Sequence, residues 1–288
     1  MRAPAVRIAI FALALLAPGI AKADQAQIES ALQSEYENKV VLLRGFYTNP
    51  ALRFDANGKP VGKADPGYWS SDGMLQIGEV SLVQGVLHIG GKRIANAFDA
   101  KAGRFRNVAT RYPVQIEVEL DPAWQDAAPV QELLGKIFPG DLKDLLDALP
   151  DYWRWCVGDG IHRDKTGGWA CHTLNPDGPF ATPKLPEAGG IELYRVYRVG
   201  GGVNPPRVVT SPDPGSTKMA TSLHYEGTST LWVVVDEHGA ATQIQIVRPI
   251  GVGLDDKAVE AVRTWRFQPA TLNGHPVAVQ IDIEVNFR

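Results

Sequence analysis

The stretch from Ser229 to Arg288 is the most informative part of the sequence, because its apolar residues recur with two different periods in a fixed order. Apolar and polar residues alternate in Gln243–Ile250 and Val277–Phe287, which is the period of strands with one buried face. The preceding strand pattern, Leu231–Val235, is fully apolar on one face and partly apolar on the other. In Leu254–Trp265 the apolar residues recur every three or four positions, which is the period of a helix. A helix packed on one face of a three-stranded antiparallel sheet buries all of these apolar stripes, so we expect an α+β fold.

The final strand of this pattern has two chemically different faces. The sequence predicts that the apolar face packs against the helix and that the polar face meets solvent. The apolar set is Val277, Val279, Ile281, Ile283, Val285 and Phe287, and the other set is Ala278, Gln280, Asp282, Glu284 and Asn286.

The composition is that of a globular protein and argues against several classes of function. The chain has 288 residues, enough for two domains, of which 44% are hydrophobic and 21% are charged. The formal net charge of -3 provides neither the basic excess of nucleic-acid-binding proteins nor a polybasic membrane patch. The sequence contains no serine-hydrolase, zinc-protease, phosphate-loop or dinucleotide-binding motif. We therefore expect a protein that is not an enzyme and uses no cofactor.

The N-terminus has the pattern of an export signal. Arg2 and Arg7 precede a short apolar run, Ile8–Ile20, and Ala21-Lys22-Ala23 has the small-residue spacing of a cleavage site. These features predict a signal peptide over residues 1–23, cleavage after Ala23 and a periplasmic mature protein. An uncleaved membrane anchor is the alternative, although a spanning helix needs about 20 apolar residues.

The two cysteines are the second indication of an oxidising compartment. In an exported chain, Cys156 and Cys171 are predicted to form a disulfide. A zinc site with His162 and His172 as further ligands is the alternative, but the spacing lacks the paired pattern of structural zinc sites. We therefore predict no metal.

Four aromatic residues lie close to these cysteines in sequence. We expect them to form a small core around the disulfide, since aromatic side chains dominate burial, and an aromatic ligand platform is the alternative. They are Tyr152, Trp153, Trp155 and Trp169.

The chain between the leader and the C-terminal pattern divides into a structured region and a loop. Residues 24–157 contain a helical pattern, several strand patterns and two short apolar helical patterns, which predict an α+β domain of unknown function. Residues 158–202 are rich in proline and glycine and are predicted to be a disulfide-containing loop and linker, in which Ile191–Val199 is predicted to be a strand. The C-terminal domain then occupies residues 203–288.

Several motifs in residues 203–288 have the spacing of a known family. They are Val203-Asn204-Pro205-Pro206 at the start, Gly253-Leu254-Asp255 before the helix, Ala261-Val262-x-x-Trp265-x-Phe267-x-Pro269-Ala270 at its end and Gly274-x-Pro276-Val277 before the last strand. With these motifs the segment resembles the C-terminal domain of TonB, the energy transducer of Gram-negative bacteria. The resemblance implies a periplasmic protein that contributes to transmembrane transport.

In the TonB family this domain binds outer-membrane receptors, which add a short extended segment to the edge of the domain's last strand. Such strand addition takes affinity from main-chain hydrogen bonds and specificity from side chains. Carried over to this sequence, the partner-binding edge consists of Val277, Val279, Gln280, Ile281, Asp282, Ile283, Glu284 and Asn286.

The resemblance also implies which partners to expect. Full energy transducers contact the ExbB–ExbD proton motor through an N-terminal transmembrane helix that carries a histidine, whereas this chain has no histidine before His88. An outer-membrane transporter or another periplasmic protein is therefore the leading expected partner, with ExbB–ExbD second. The alternative is a structural or dimeric interaction module without an energy-transducing role, in which a homodimer forms.

Overall fold

A computed structural model describes residues 22–153, 156, 162–163, 169–170 and 196–288. The predicted leader, residues 1–23, lies almost entirely outside this part of the chain, and so does Cys171. Cys156 is fully buried, and its predicted pairing with Cys171 stays a prediction. Within the described ranges, no helix is long and apolar enough to cross a membrane.

The N-terminal region is a twisted sheet with helices packed against it. Its helices are α1 (Lys22–Tyr36), α2 (Trp69–Asp72) and α3 (Ala128–Ile137), and two 3-10 turns follow at Leu142–Ala148 and Asp151–Trp153. Its strands are β1 (Val40–Leu42), β2 (Ala51–Phe54), β3 (Met74–Val83), β4 (Val86–Asp99), β5 (Arg104–Glu119), β6 (His162–Arg163) and β7 (Trp169–Ala170). The strand order is β1-β3-β4-β5-β7-β6, and β2 lies parallel to β5.

The long hairpins β3–β4 and β4–β5 form the body of this sheet. Two of the strand patterns of residues 24–157, Met74–Ile77 and Val80–Val83, form one strand, β3, with a bulge between Ile77 and Glu79. Apolar side chains of α1 and α3 cover one end of the sheet and form a core with Ile77, Ile89 and Ile116. The second short helical pattern, predicted after Pro139-Gly140, is a 3-10 turn that Asp141 caps by accepting a hydrogen bond from Lys143 N.

The C-terminal region contains the sheet and helix predicted from the alternation. Its helices are α4 (Lys218–Leu223) and α5 (Leu254–Thr264). Its strands are β8 (Tyr197–Arg198), β9 (Val203–Asn204), β10 (Arg207–Thr210), β11 (Gly227–Val235), β12 (Ala241–Arg248), β13 (Arg266–Gln268), β14 (Ala270–Leu272), β15 (His275–Val277) and β16 (Val279–Phe287). The α+β class predicted from the sequence is confirmed.

The main C-terminal sheet has one strand more than the sequence predicted. The order is β12-β11-β16-β8, in which the first three strands are antiparallel, as expected, and β8 runs parallel to β16. The additional strand forms because Tyr197 N donates to the Ala278 carbonyl across 2.9 Å. Strands β6, β7 and β8 all come from residues 158–202, the segment predicted to be loop and linker.

The two regions share one apolar core. Phe105 and Trp153 from the N-terminal region are buried in the same cluster as Ile250, Val252 and Leu254 from the C-terminal region. The aromatic residues at this junction pack edge to face, with 5.2 Å between the ring centroids of Trp69 and Trp153. The C-terminal region therefore packs directly against the N-terminal region.

Candidate functional site: the outer edge of the last strand

Strand β16 is held in place along one side. It pairs with β11 through nine successive partners, from Val279 opposite Val235 to Phe287 opposite Gly227. On its other side, β8 pairs only with Val279 and Gln280. Among the described residues, no strand pairs with this outer side from Ile281 to Phe287.

The structure places the predicted edge residues in two strands. Val277 belongs to β15 and pairs with Ala270 of β14, because Asn273 and Gly274 adopt the positive φ angles of a tight hairpin turn just before it. The remaining predicted residues lie in β16, where Val279 and Ile283 are buried while Asp282, Glu284 and Asn286 are exposed. The predicted edge is thus continuous only from Val279 onward.

The outward-pointing backbone groups of β16 belong to its even-numbered residues. The carbonyl of Ala278 accepts from Tyr197 N, so it points away from β11. Because backbone groups alternate in direction along a strand, the N–H and C=O groups of Asp282 and Glu284 point to the same outer side. The open edge thus presents unpaired backbone groups from the residues whose side chains face solvent.

The exposed side chains on this edge are acidic. Asp282 lies opposite Trp232 of β11, and Glu284 lies opposite Thr230. Within the part of the chain that the structure describes, neither carboxylate makes an ion pair. Asn286 differs, because its side-chain oxygen accepts from the Thr228 hydroxyl across 2.6 Å.

The N-terminal region is hydrogen-bonded to the loop between β12 and α5 of the C-terminal domain. Val252 N donates to the Asn96 carbonyl across 2.8 Å, and Phe98 N donates to the Ile250 carbonyl across 2.9 Å. Gly253 N donates to the Ser70 hydroxyl across 2.8 Å. These bonds fix the loop that precedes α5.

Asp255, at the start of α5, is buried but well supplied with donors. Its Oδ1 accepts from the Ser229 hydroxyl and from Ile250 N, and its Oδ2 accepts from Gly251 N. Burial raises the pKa of this carboxyl to about 6, against the effect of these hydrogen bonds, which favour the ionised form. Asp255 thereby closes the loop onto β11.

Asp256 connects α5 to the N-terminal region. Its Oδ1 accepts from the Tyr152 hydroxyl across 2.9 Å and from Trp153 Nε1 across 3.0 Å. Its Oδ2 is buried and has no hydrogen-bond partner. Burial raises the pKa of Asp256 to about 7, with the neighbouring Asp255 acting in the same direction. This carboxyl therefore titrates near neutral pH at the junction.

A cleft of about 680 Å³ opens at the same junction. Tyr68, Asp72 and Arg93 line its N-terminal side, and Lys218 and Lys257 line the other. Arg93 is already bonded to the carbonyl groups of residues 47, 49 and 72. No group of three or more His, Cys, Asp or Glu side chains in the described residues could hold a metal ion.

The sequence of the C-terminal region matches a family model. Residues 217–288 match the model described as the Gram-negative bacterial TonB protein C-terminal. These residues form a TonB C-terminal domain. The match covers α4, β11, β12, α5 and the strands up to β16, so it includes the open edge.

Two known TonB proteins are each similar to about a third of this chain. The protein TonB of Vibrio cholerae serotype O1 (strain ATCC 39315 / El Tor Inaba N16961) is 32% identical over 88 residues, which are 30% of this chain and 36% of that protein. The chain thus spans about a third of the length of this relative. The solution NMR structure of the Pseudomonas aeruginosa TonB C-terminal domain is 22% identical over 31% of this chain and 89% of that chain, with a TM-score of 0.25.

Sequence reasoning missed the junction between the two regions. Asp256 and Trp153 lie 103 positions apart, and a contact at that separation leaves no periodic signal. In the sequence, Asp255 and Asp256 are simply acidic residues in the first turn of a helix, where the helix dipole favours them. The adjacent Tyr152 and Trp153 were predicted to be buried, which is confirmed, but their hydrogen-bond partner was not identified.

Proposed function

We propose that this chain is a non-enzymatic periplasmic protein whose TonB C-terminal domain binds an extended segment of an outer-membrane transporter. The segment adds as a new strand to the outer side of β16 and so contributes to transmembrane transport. The supporting observation is the edge from Ile281 to Phe287, which is open among the described residues and offers unpaired backbone groups on a strand that β11 pairs along its whole length.

Each segment of the chain has a role in this function. Residues 1–23 are the leader that is removed after Ala23, and residues 24–157 form an N-terminal domain that supplies a second interface. Residues 158–202 form a linker closed by a disulfide between Cys156 and Cys171. The hydrogen bonds and shared core at the junction support an N-terminal domain that holds the TonB C-terminal domain rigidly rather than on a tether.

Proline substitution at the edge tests strand addition. In Glu284→Pro the lost N–H points outward, so the β11–β16 ladder keeps its hydrogen bonds while the outer edge loses a donor. Glu284→Ala is the matched control, because it removes the same carboxylate and keeps the N–H. Proline at Ile281 would be uninformative, since that N–H points toward β11.

The measurement is binding of the immobilised full chain to outer-membrane proteins from the same cells, followed by identification of the captured proteins. We expect a TonB-dependent transporter to be captured by the wild type and by Glu284→Ala but not by Glu284→Pro. A synthetic peptide from the periplasmic segment of that transporter should compete. Undiminished capture by a folded Glu284→Pro variant would contradict the proposal.

The exposure of strand β10 favours a second candidate function, a dimeric interaction module. Val208 and Val209 are 55% and 65% exposed, which is unusual for adjacent valines in a strand. Among the described residues, β10 pairs only with β13, so its other edge is open. Sedimentation of the wild type and of Val208→Lys tests it: a dimer dissociated by Val208→Lys supports this candidate, and a monomeric wild type rejects it.

A further inference from the structure

We infer that the β16 edge selects a basic partner segment, one in which lysine or arginine alternates with apolar residues. This inference rests on the proposed function and specifies its partner. It follows from the length of the open edge, from the orientation of its residues and from the charges that it presents.

The length of the open edge sets the size of the partner segment. Strand β8 occupies the outer side only at Val279 and Gln280, and the chain then leaves the sheet through Gly200, Gly201 and Gly202, all with positive φ. A partner strand can therefore begin opposite Ile281 and run to Phe287. That span accommodates a segment of about six residues at about 3.3 Å per residue.

The orientation of the strand determines which side chains the partner meets. A partner strand paired with β16 places its own side chains on the same two faces, directly beside those of β16. On one face its neighbours are Asp282 and Glu284, which are exposed. On the other face its neighbours are Ile281, which is half-buried, and Ile283 and Val285, which are buried.

The two carboxylates on the solvent face have uncharged neighbours on β11, and the arginines of the same face, Arg198 on β8 and Arg248 on β12, lie beside Gln280 and Thr230 instead. The β11 residues opposite Asp282 and Glu284 are Trp232 and Thr230, which carry no charge. Neither carboxylate makes an ion pair with any residue that the structure describes. Two basic side chains of the partner beside Asp282 and Glu284 form two cross-strand ion pairs, whereas two acidic side chains there are repelled by like charges.

Two labelled peptides of about six residues test the inference at low ionic strength, one alternating lysine with valine and one alternating glutamate with valine. With the full wild-type chain, we expect the lysine peptide to bind roughly tenfold more tightly than the glutamate peptide. The double variant Asp282→Lys/Glu284→Lys should reverse this preference.

A second double variant controls for the overall charge of the protein. Glu79→Lys/Glu132→Lys changes the net charge equally at exposed positions on β3 and α3, away from β16. It should keep the wild-type preference. An unchanged preference in Asp282→Lys/Glu284→Lys, or a reversal in the control, overturns the inference.

The proline variant separates failure of charge selection from failure of strand addition. If wild-type protein binds both peptides equally and Glu284→Pro binds neither, strand addition stands and the basic preference is wrong. If Glu284→Pro binds both peptides as the wild type does, strand addition itself fails, and the inference fails with it.

Discussion

The Tyr152 hydroxyl donates a hydrogen bond to Asp256 Oδ1 across 2.9 Å, between residues 104 positions apart in the sequence. Trp153 Nε1 donates to the same oxygen. These two hydrogen bonds connect the 3-10 turn Asp151–Trp153 of the N-terminal region to the first turn of helix α5. This buried carboxyl adds to the hydrogen bonds that join the loop before α5 to the N-terminal region.

The pH dependence of stability tests this carboxyl. Because the folded-state pKa of Asp256 is raised from 3.8 to about 7, its contribution to stability is full below pH 4 and is lost as pH rises through 7. Asp256→Asn keeps an oxygen for Tyr152 and Trp153 and removes the charge. We expect the variant to match the wild type at pH 4 within about 1 kcal/mol and to exceed its unfolding free energy by on the order of 2–4 kcal/mol at pH 8.

Urea unfolding at the two pH values measures this difference, and the neighbouring carboxyl provides the control. Asp255 accepts from two backbone N–H groups and from Ser229, using both of its oxygens. Asn at that position can accept with only one oxygen, so Asp255→Asn should destabilise the fold at both pH values. An Asp256→Asn variant whose difference from the wild type does not change with pH would argue against a titrating Asp256.

Gly251 is the second position where the junction can be tested. Its φ is +89°, and a Cβ there would clash with the carbonyl oxygen of Asn96. We expect Gly251→Ala to lower the unfolding free energy by about 2–4 kcal/mol, because both the backbone and the contact with β4 must shift.

Gly274→Ala separates the effect of backbone strain from the effect of the clash with β4 in a thermal unfolding experiment. Gly274 has a similar φ of +82° and no atom within 4 Å of the added Cβ, so only backbone strain remains. We expect Gly274→Ala to lower the unfolding free energy by about 1 kcal/mol. Equal destabilisation by Gly251→Ala and Gly274→Ala would show that the clash with the Asn96 carbonyl does not contribute to the loss of stability.

The shared core predicts that the two regions unfold together. Removing residues 24–157 would expose Ile250 and Val252, which are 5% and 0% exposed in the full chain. We expect one calorimetric transition for the full chain and a lower melting temperature for the isolated 203–288 segment. Two separate transitions, with the second matching the isolated segment, would show that the regions are independent.

The periodicity of apolar residues was sufficient to predict β12, β16 and α5, because each of them buries one face. Strand β11 was predicted from a nearly continuous apolar run and is buried on both faces. Strand β8 was predicted as part of a longer strand, Ile191–Val199, in which Tyr197 and Arg198 are the described residues that pair with β16. Its pairing partner could not be predicted, since two paired residues carry no pattern. The fixed spacing of the Trp265-x-Phe267-x-Pro269-Ala270 motif identified the TonB C-terminal domain, which the family match confirms.

The junction could not be predicted, for a different physical reason. Buried polar contacts such as those of Asp256 depend on the relative placement of two folded regions, and the residue alone looks like an ordinary acidic residue at a helix start. The resemblance to the TonB family located the strand edge. Which residues of β16 direct their backbone groups outward could be recognised only from the strand register. That register makes Asp282 and Glu284, rather than Ile281 and Ile283, the residues with outward backbone groups.

Amide hydrogen exchange along β16 tests strand addition most directly. The peptide competitor from the captured transporter is added to the full chain, and exchange is followed at single residues. The account predicts that the amides of Asp282 and Glu284 become protected, while those of Ile281 and Ile283, already bonded to β11, do not change. Binding of the peptide with no added protection at Asp282 and Glu284 would contradict it.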